Sequence, residues 1–278
     1  MTYSKRAGAI LVCAVILLGF AGCGRAKQGN MAFELNQDGT AYTLVSYKNT
    51  ASQTELAIPD TFEGIPVTAI GAMAIQNCDD LLKIGIGAHL VKIDKWGVFG
   101  CRHLKEYTVS EDNPAFTAMG GVLFSKDMAR LVSYPNANTA VYDKGGALLE
   151  EVRYTVPEGV AAIAHCAFYK CYALEEVVLP QSLVTIEPRA LHGCENLKRL
   201  VLPEGLRTIG GDAFLKCLGL KEVTIPATVR EIGDYAFYNC DNLESVTILA
   251  PKEELKQGFR WLPEPGRKPA APVWGNEQ

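Results

Sequence analysis

The chain has 278 residues and a formal net charge of −4 at pH 7, with 48% hydrophobic residues and nine cysteines. Acidic side chains outnumber basic ones by 31 to 27. This balance argues against electrostatic adhesion to polyanions such as nucleic acid.

Residues 1–22 have the features of a secretory signal peptide. Lys5 and Arg6 precede an apolar run at 9–20. The run is shorter than the roughly 20 residues that a membrane-spanning helix needs. We therefore expect the chain to be exported, which places nucleic acid and cytosolic cofactors out of its reach.

Cys23 directly follows two small residues at the end of this segment, Ala21 and Gly22. The pattern is similar to a lipobox, so we expect cleavage before Cys23, lipid attachment to its sulfur, and a linker at 23–32. The mature chain would carry 25 basic and 31 acidic side chains, a net charge of −6. Phe20 stands where leucine is usual, so an ordinary exported protein and an uncleaved anchor remain alternatives.

A β-hairpin is the first element predicted after the linker. Apolar residues alternate on both sides of an Asp-Gly pair, which is a strong turn signal. The residues are Phe33, Leu35, Asp38, Gly39, Tyr42 and Leu44. Such a hairpin would cover the open N-terminal edge of the structure formed by the residues after it.

A period of 23 residues governs the rest of the chain. The cysteines that mark it are Cys78 and Cys101, then Cys171, Cys194, Cys217 and Cys240. Between marks the same apolar pattern returns, as in Leu197, Leu200, Leu202, Pro203, Leu206, Ile209, Ala213 and Phe214. A single unit cannot bury its own apolar face, so the units must stack.

Each unit is predicted to contain one strand and one return arm. The pattern Leu-x-x-Val-x-Leu-Pro places alternate residues on one face of a short strand that the proline ends. Glycines such as Gly210 and Gly211 indicate a turn, followed by a short helical or 3₁₀ segment that carries Ala213 and Phe214 inward. The predicted fold class is an α/β solenoid with a parallel β-sheet on one side and short helical or 3₁₀ return arms on the other.

An insert interrupts the period at about 110–150. Cys101 and Cys171 are 70 residues apart, one more than three periods. Two β-rich runs flank a polar turn at Lys126 and Asp127, which predicts a hairpin. Since stability in a solenoid is a sum over neighbouring units, we expect replacement of 113–135 to spare most of the thermal transition.

The C-terminal segment 252–278 is predicted to be a short cap and a disordered tail. Residues 252–259 suit one short helix. Proline, glycine and charge after Trp261 argue against further packed structure.

The repeat motif resembles the BspA-like leucine-rich repeat family, also called the Treponema pallidum type. The likeness covers residues 33–248, and the repeat domain is placed at 33–251. Local departures are Ile75, Gly87, Gly97 and Val98. The resemblance implies a leucine-rich-repeat stack in which the insert decorates a repeat and is not a second domain. It also implies a bacterial surface protein, since relatives are commonly adhesins or host-interaction proteins.

Candidate partner-binding residues fall into two groups. Aromatic residues of the insert and of the position after the core aromatic are the predicted exposed anchors: Phe116, Phe124, Tyr134, Tyr169 and Tyr238. The alternative for the insert's rings is that some of them close the insert's own small core. Cationic residues on the sheet are Lys198, Arg199 and Lys221. Outward columns on the sheet alternate in charge, so cross-strand pairing alone also accounts for them.

Chemistry of its own is not expected from this chain. We expect the period-marking cysteines to be buried reduced thiols, because equivalent residues of stacked units point the same way. His165 and Cys166, near Cys171, are the nearest approach to a catalytic or metal-binding group. No carboxylate in the pattern orients them.

The predicted function is that of a non-catalytic, monomeric surface lipoprotein without cofactor or metal. It would bind a protein or other macromolecule through the repeat surface or the insert, with host adhesion as one such role. An envelope-accessory lipoprotein that scaffolds another envelope protein is the alternative.

Overall fold

The computed structural model describes residues 25–50, 52–138, 151–263 and 272–275. The predicted signal peptide at 1–22 and the lipid attachment site at Cys23 lie outside these ranges. Within them the chain forms 25 short strands joined by turns, without a helix. Accordingly, none of the described residues belongs to a helix that could cross a membrane.

Parallel strands of successive units form the front sheet, in three parts. The first contains β4 (Glu55–Ala57), β8 (Lys83–Ile86) and β11 (Glu106–Val109). The second contains β15 (Val152–Thr155), β17 (Leu174–Val178) and β19 (Arg199–Leu200), and the third β21 (Glu222–Ile225), β23 (Ser245–Ile248) and β25 (Val273–Trp274). Lys83 pairs with Glu106, and Glu176 with Arg199. The predicted 23-residue register and parallel sheet are therefore confirmed.

A second set of parallel strands, the side ladder, runs along the stack at the Leu-x-x-Ile part of each unit. Its N-terminal part pairs β6 (Ile65–Ile70) with β9 (Lys92–Ile93). Its C-terminal part contains β14 (Arg130–Ser133), β16 (Ala162–Ile163), β18 (Thr185–Ile186), β20 (Thr208–Ile209), β22 (Glu231–Ile232) and β24 (Lys256–Gln257). The repeat isoleucines Ile70, Ile163, Ile186, Ile209 and Ile232 are buried between neighbouring units, whereas Ile93 is half-buried. Stacking therefore supplies the core that one unit lacks.

The return arms are extended turns, and the prediction of helical or 3₁₀ arms is wrong. The N–H of Phe168 donates to the carbonyl oxygen of Ala190 at 2.7 Å, and that of Lys170 to His192 at 2.8 Å. Two arms are regular enough to pair as the strands β7 (Ile75–Gln76) and β10 (Val98–Phe99). Because these amides bond to the next unit, they are not available for bonds within a helix.

Left-handed residues at two positions of each arm also exclude a helix. The first position is held by Met73, Trp96, Cys166, Arg189, Asp212 and Tyr235, with φ between 56° and 62°. The second is held by Asn77, Gly100, Lys170, Gly193, Lys216 and Asn239. The backbone at the first position makes a turn that is incompatible with a right-handed helix. Side chains at this position project outward from that turn.

Three antiparallel strands cap the N-terminal end. The predicted hairpin is present as β2 (Met31–Leu35) and β3 (Tyr42–Tyr47), and β3 then pairs in parallel with β6. β1 (Ala26–Gln28) pairs with β2 on the other side, so part of the expected linker at 23–32 belongs to the cap. A short strand β5 (Thr61–Phe62) folds back on β6. The side chain of Phe62 stacks on Phe33, with 4.6 Å between ring centroids.

The insert forms three antiparallel strands and is part of the stack. β12 (Phe116–Met119) pairs with β13 (Val122–Ser125), and β13 pairs with β14. The predicted hairpin between β13 and β14 is therefore present. Because β14 also pairs in parallel with β16, the insert supplies the side-ladder strand of its unit. Residues 139–150, which complete the predicted insert, lie outside the described residues.

Two hydrophobic cores meet at the insert. Val122 and Phe124 pack in the C-terminal core, whereas Leu123, on the opposite face of the same strand, packs in the N-terminal core. Alternation along a strand explains this division. Asn113 holds the entry to β12, since its Nδ2 donates to Leu90 at 2.9 Å and its Oδ1 accepts from the N–H of Phe116 at 2.7 Å.

The C-terminal segment also differs from its prediction. Residues 252–259 contain a turn and β24, so the predicted short helix is wrong. Beyond them β25 pairs with Thr247 and Ile248, so Val273 and Trp274 are ordered parts of the front sheet. Residues 264–271 and 276–278 of the expected disordered tail lie outside the described ranges.

Candidate functional site

The three aromatic residues predicted as anchors on the insert are buried. Phe116, Phe124 and Tyr134 are 8%, 0% and 3% exposed. Tyr134 stacks on Phe168 with 5.0 Å between centroids, in the place where a regular unit puts its own core aromatic. The prediction that these rings are surface contacts is wrong, because the insert's strands use them to fill both cores.

The cations predicted on the front sheet are mostly paired along the stack. Lys198 Nζ lies 2.7 Å from Glu175 Oε2, and Arg199 lies 3.1 Å from Glu176 Oε2 and also contacts Glu151. Cross-strand pairing is therefore confirmed for these positions. Exposed ion pairs of this kind contribute about 0–1 kcal/mol each and set the register more than they attract a partner.

Lys221 is exposed on the same sheet. It makes no salt bridge with the described residues. A single flexible cation among paired charges is a weak basis for specific binding.

The position after the core aromatic forms a continuous column along the return arms. We call it the arm column: Phe99, Tyr169, His192, Leu215 and Tyr238. All five side chains are half-buried, so each rests on the stack and presents one side to solvent. Tyr169 and His192 lie 5.1 Å apart, and Phe99 contacts Tyr169 at 6.4 Å across the insert. Of the predicted anchors, Tyr169 and Tyr238 thus lie on one accessible surface.

Residues at the first left-handed position widen this surface. Trp96 contacts Tyr169 edge-on, with 4.9 Å between centroids, and the guanidinium of Arg189 lies 5.3 Å from the centre of the Trp96 ring. Arg189 Nε also donates to Asp212 Oδ2 at 2.9 Å, which fixes the guanidinium on the ring. Cation–π contact and ion pairing together hold this part of the surface rigid.

A second aromatic group lies at the C-terminal end of the same surface. Tyr235 contacts Tyr238 at 5.3 Å and Phe259 at 5.6 Å, and Arg260 lies over the Phe259 ring. Phe259 is 58% exposed. We call the arm column together with Trp96, Arg189, Tyr235 and Phe259 the arm face.

A cavity of about 120 Å³ opens beside Trp96, where the insert interrupts the series of arms. No regular return arm precedes Tyr169 and Lys170 at this point of the described chain. The side chain of Asn136 instead donates to the backbone oxygens of Tyr169 and Lys170, at 3.3 and 3.2 Å. Arg130 forms a bidentate bond to Glu187 at 2.9 and 2.7 Å on the cavity wall. Opposite charges therefore neutralise each other along this wall.

Two histidines, His192 of the arm face and His165 beside Trp96, have lowered pKa values. Burial lowers the pKa of His192 to about 4, and burial together with Lys95 and Arg189 lowers the pKa of His165. Both ring nitrogens of His165 and Nδ1 of His192 are buried without a hydrogen-bond partner. Protonation would place a charge beside existing cations, so the imidazoles act as packing groups near neutral pH.

The sulfur chemistry does not suit catalysis. Burial raises the pKa of the Cys166 thiol to about 12, the opposite of what an activated nucleophile needs. The cysteine ladder is likewise buried, and burial raises the pKa of Cys171 and Cys217. Across the part of the chain that the structure describes, no three His, Cys, Asp or Glu side chains converge to hold a metal ion.

Sequence reasoning found part of the arm face and missed the rest. Tyr169 and Tyr238 share a repeat position with His192, and that position was visible from the period. Trp96, Arg189 and Tyr235 share the position of Cys166, but only the left-handed backbone shows that this position projects outward. Aligning the units at that position shows its large side chains, although not their exposure.

Comparisons with known proteins identify the repeat. Residues 44–144 and 149–259 match the BspA type leucine rich repeat region in six copies, which confirms the resemblance seen in the motif. None of the curated proteins compared with the chain matches it.

Three solved structures are similar to the chain at low identity and with TM-scores below 0.5. The pneumococcal vaccine antigen PcpA is 18% identical over 88% of this chain and 89% of its own, with a TM-score of 0.48. A leucine-rich repeat protein from Eubacterium ventriosum is 16% identical over 80% and 84%, with a TM-score of 0.47. The Treponema pallidum leucine rich repeat protein is 20% identical over 84% and 86%, with a TM-score of 0.42.

Proposed function

Because the chain belongs to the BspA-type leucine-rich repeat family, we propose that it is a non-catalytic bacterial surface lipoprotein that binds a protein partner through its arm face. Members of the family are typically surface proteins, and leucine-rich repeat domains generally mediate protein–protein binding without catalysis. The lipid anchor at Cys23, a monomeric state and exclusion of nucleic acid are parts of this proposal. Signal-like residues 1–22 support the lipid anchor, and the mature net charge of −6 supports the exclusion of nucleic acid.

The arm column carries the proposal, because four of its five side chains are ring side chains and Leu215 is the one aliphatic member. Interfaces are enriched in Tyr, Trp, Phe and Arg, and these residues supply most hot spots. The arm face combines Trp96 under Arg189 with Tyr169, Tyr238 and Phe259. Its side chains are held by neighbouring rings, so little side-chain entropy would be lost on binding.

Other surfaces are weaker candidates for physical reasons. Charged columns of the front sheet neutralise each other, as Lys198 does with Glu175. Val201 on that sheet is 79% exposed, but its neighbours in the outward column are small or β-branched and offer no ring surface. The insert's aromatic rings are buried.

The test is a comparison of matched surface variants. The lipidated wild type, a Tyr238→Ser/Phe259→Ser double variant and a Val201→Ser control would be compared in binding to host matrix proteins and to purified proteins of the native envelope. We expect the double variant to lose binding at least tenfold, equivalent to about 1.4 kcal/mol, and the control to bind as the wild type does. Binding that survives in the double variant but fails in the control would assign recognition to the front sheet.

The identity of the ligand in that assay decides the biological setting. Saturable binding to a host matrix protein supports adhesion. Binding only to an envelope protein supports the accessory role instead. In either case the variants report whether the arm face carries the contact.

A further inference from the structure

We propose that the N-terminal cap, residues 25–50, rests directly on the phospholipid headgroups, so that the solenoid stands on its N-terminal end. This orientation rests on the proposed lipid attachment at Cys23. It adds a membrane-contact surface to the protein and fixes which end of the arm face points away from the membrane.

The covalent tether between lipid and fold is very short. β1 begins at Ala26, three residues after Cys23, and pairs with β2 from its first residue. Three extended residues span at most about 11 Å. A lipid whose acyl chains lie in the bilayer therefore holds the start of β1 beside the headgroup layer.

β1 is also the outermost strand of the stack. The cap and its first neighbours follow the order β1, β2, β3, β6 and β9, so β1 lies at one end of the ladder and its outer edge is unpaired within the described residues. Arg25 at its start is exposed. The chain thus leaves the solenoid from its terminal face, and not from the front sheet or the arms.

Charge along the stack favours the same orientation. The cap carries Arg25, Lys27 and Lys48 against Glu34 and Asp38, a net charge of +1. Since the mature chain has a net charge of −6, the remainder carries −7. Anionic headgroups attract nearby basic residues and repel an acidic surface, so the stack is driven to stand on the cap instead of lying flat.

One exposed apolar side chain lies where contact is expected. Phe33 pairs with Ala26, and Leu35 follows two residues further along β2, on the side where the chain departs toward Cys23. Leu35 is 42% exposed, although its strand otherwise turns apolar residues into the core. Contact with the headgroup and acyl boundary would remove this surface from water.

The far end of the solenoid would then lie well away from the bilayer. At least nine strand spacings of about 4.8 Å separate β1 from β24, or about 40 Å. Phe259 and Tyr238 lie at that end. Standing on the cap therefore presents the exposed aromatic group of the arm face outward.

Lysine labelling on vesicles tests this orientation. The full mature chain beginning at Cys23 would be joined to a diacyl lipid by chemistry specific for an N-terminal cysteine, then bound to vesicles containing phosphatidylglycerol. A membrane-impermeant acetylating reagent and mass spectrometry would give the reactivity of each lysine. We expect Lys27 and Lys48 to react several-fold more slowly than in the unlipidated chain, and Lys256, whose side chain is 76% exposed, to be unchanged.

A matched variant separates cap contact from simple tethering. A Gly-Ser linker of about 20 residues between Cys23 and Arg25, with a flexible span of about 25 Å, should keep the chain on the vesicle and restore the reactivity of Lys27 and Lys48. Unchanged reactivity of Lys27 in the short-tether chain would overturn the proposal, as would protection of Lys216 or Lys256, which indicates a solenoid lying on its side.

Chemical ligation makes this test independent of the native processing step. The mass of the N-terminal peptide from the native protein reports separately whether Cys23 is lipidated in the cell. The arm-face variants report separately on partner binding.

Discussion

The thiol of Cys240 donates a hydrogen bond to the carbonyl oxygen of Phe214, with 3.1 Å between Sγ and O. The same bond joins Cys194 to Phe168 at 3.1 Å. Each thiol thus satisfies a buried carbonyl in the arm of the preceding unit, which explains a cysteine at this position better than covalent pairing does. Burial raises the pKa of Cys240 to about 12, so the thiol keeps the proton that it donates.

The cysteine ladder should be fully reduced in the folded protein. The side chains of Cys78, Cys101, Cys171, Cys194, Cys217 and Cys240 are buried as free thiols. Titration with a thiol reagent in denaturant without reductant should detect at least these six, with Cys166 as a seventh, whereas the six buried thiols of the native protein should react slowly. Two or fewer free thiols in denaturant would mean that neighbouring units are linked by disulfides.

Gly233→Ala should strongly destabilise the stack. A Cβ at Gly233 would overlap the backbone nitrogen of Gly211 in the preceding unit, where no flexible side chain can move aside. Overpacking of this kind costs about 1–3 kcal/mol. Gly85→Ala is the matched control, because its Cβ would lie 3.5 Å from Thr108 Oγ1 in ordinary contact. Thermal unfolding of the two variants should differ clearly, and equal midpoints would contradict the close packing of units at Gly233.

Replacement of residues 113–135 by a Gly-Ser linker should lower the thermal transition markedly, contrary to the expectation from sequence. Phe124 and Leu131 fill the C-terminal core, and Phe116 and Leu123 fill the N-terminal core. Removing these side chains exposes both cores at the place where they meet. Each large side chain lost lowers the free energy of unfolding by about 2–5 kcal/mol. Calorimetry should show a lower or divided transition. A transition within a few degrees of the wild type would show that the insert is dispensable.

His192 should make the protein less stable as the pH falls. Burial holds its folded-state pKa near 4, below the unfolded value of about 6.5. Its destabilising effect is absent above pH 6.5 and grows as the pH falls toward 4, because the unfolded chain binds the proton more readily. Asp212 favours the charged form, whereas Arg189, Lys170 and Lys216 oppose it.

Denaturant unfolding of His192→Gln and wild type at several pH values would measure this effect. The difference between them should change over pH 6.5 to 4, with the variant losing less stability. Parallel curves for the two proteins would show that His192 contributes nothing to the acid sensitivity. Carboxylates that titrate in the same range affect both proteins equally and cancel in the comparison.

The repeat was predictable because it depends on spacing alone. Equivalent residues such as Glu176 and Arg199 pair at a separation of 23 residues, as the cysteine marks indicated. The arms were not predictable in detail. Amides such as that of Phe168 donate to the next unit, and residues such as Arg189 adopt a left-handed conformation where a helix was predicted. Neither feature can be recognised from the helix propensities of the neighbouring residues.

The arm face was predicted only where it follows the period. Tyr169 and Tyr238 were visible as repeat positions, whereas the exposure of Trp96 depends on its backbone conformation and on the missing arm beside it. The insert's residues Phe116 and Phe124 were placed on the surface because an interrupted period suggests decoration. Their burial depends on contacts between distant segments, because Phe116 packs in the N-terminal core and Phe124 in the C-terminal core.

Hydroxyl-radical footprinting of the native protein on intact cells tests the central claim, that the arm face binds a partner, most directly. Oxidation of Tyr238 and Phe259 would be compared with that in the purified lipidated chain on vesicles, and Met119, exposed at the tip of the insert, is the internal control. We expect several-fold protection of Tyr238 and Phe259 on cells and unchanged oxidation of Met119. Equal oxidation of Tyr238 and Phe259 in the two samples, with protection of Val201 on the front sheet, would contradict it.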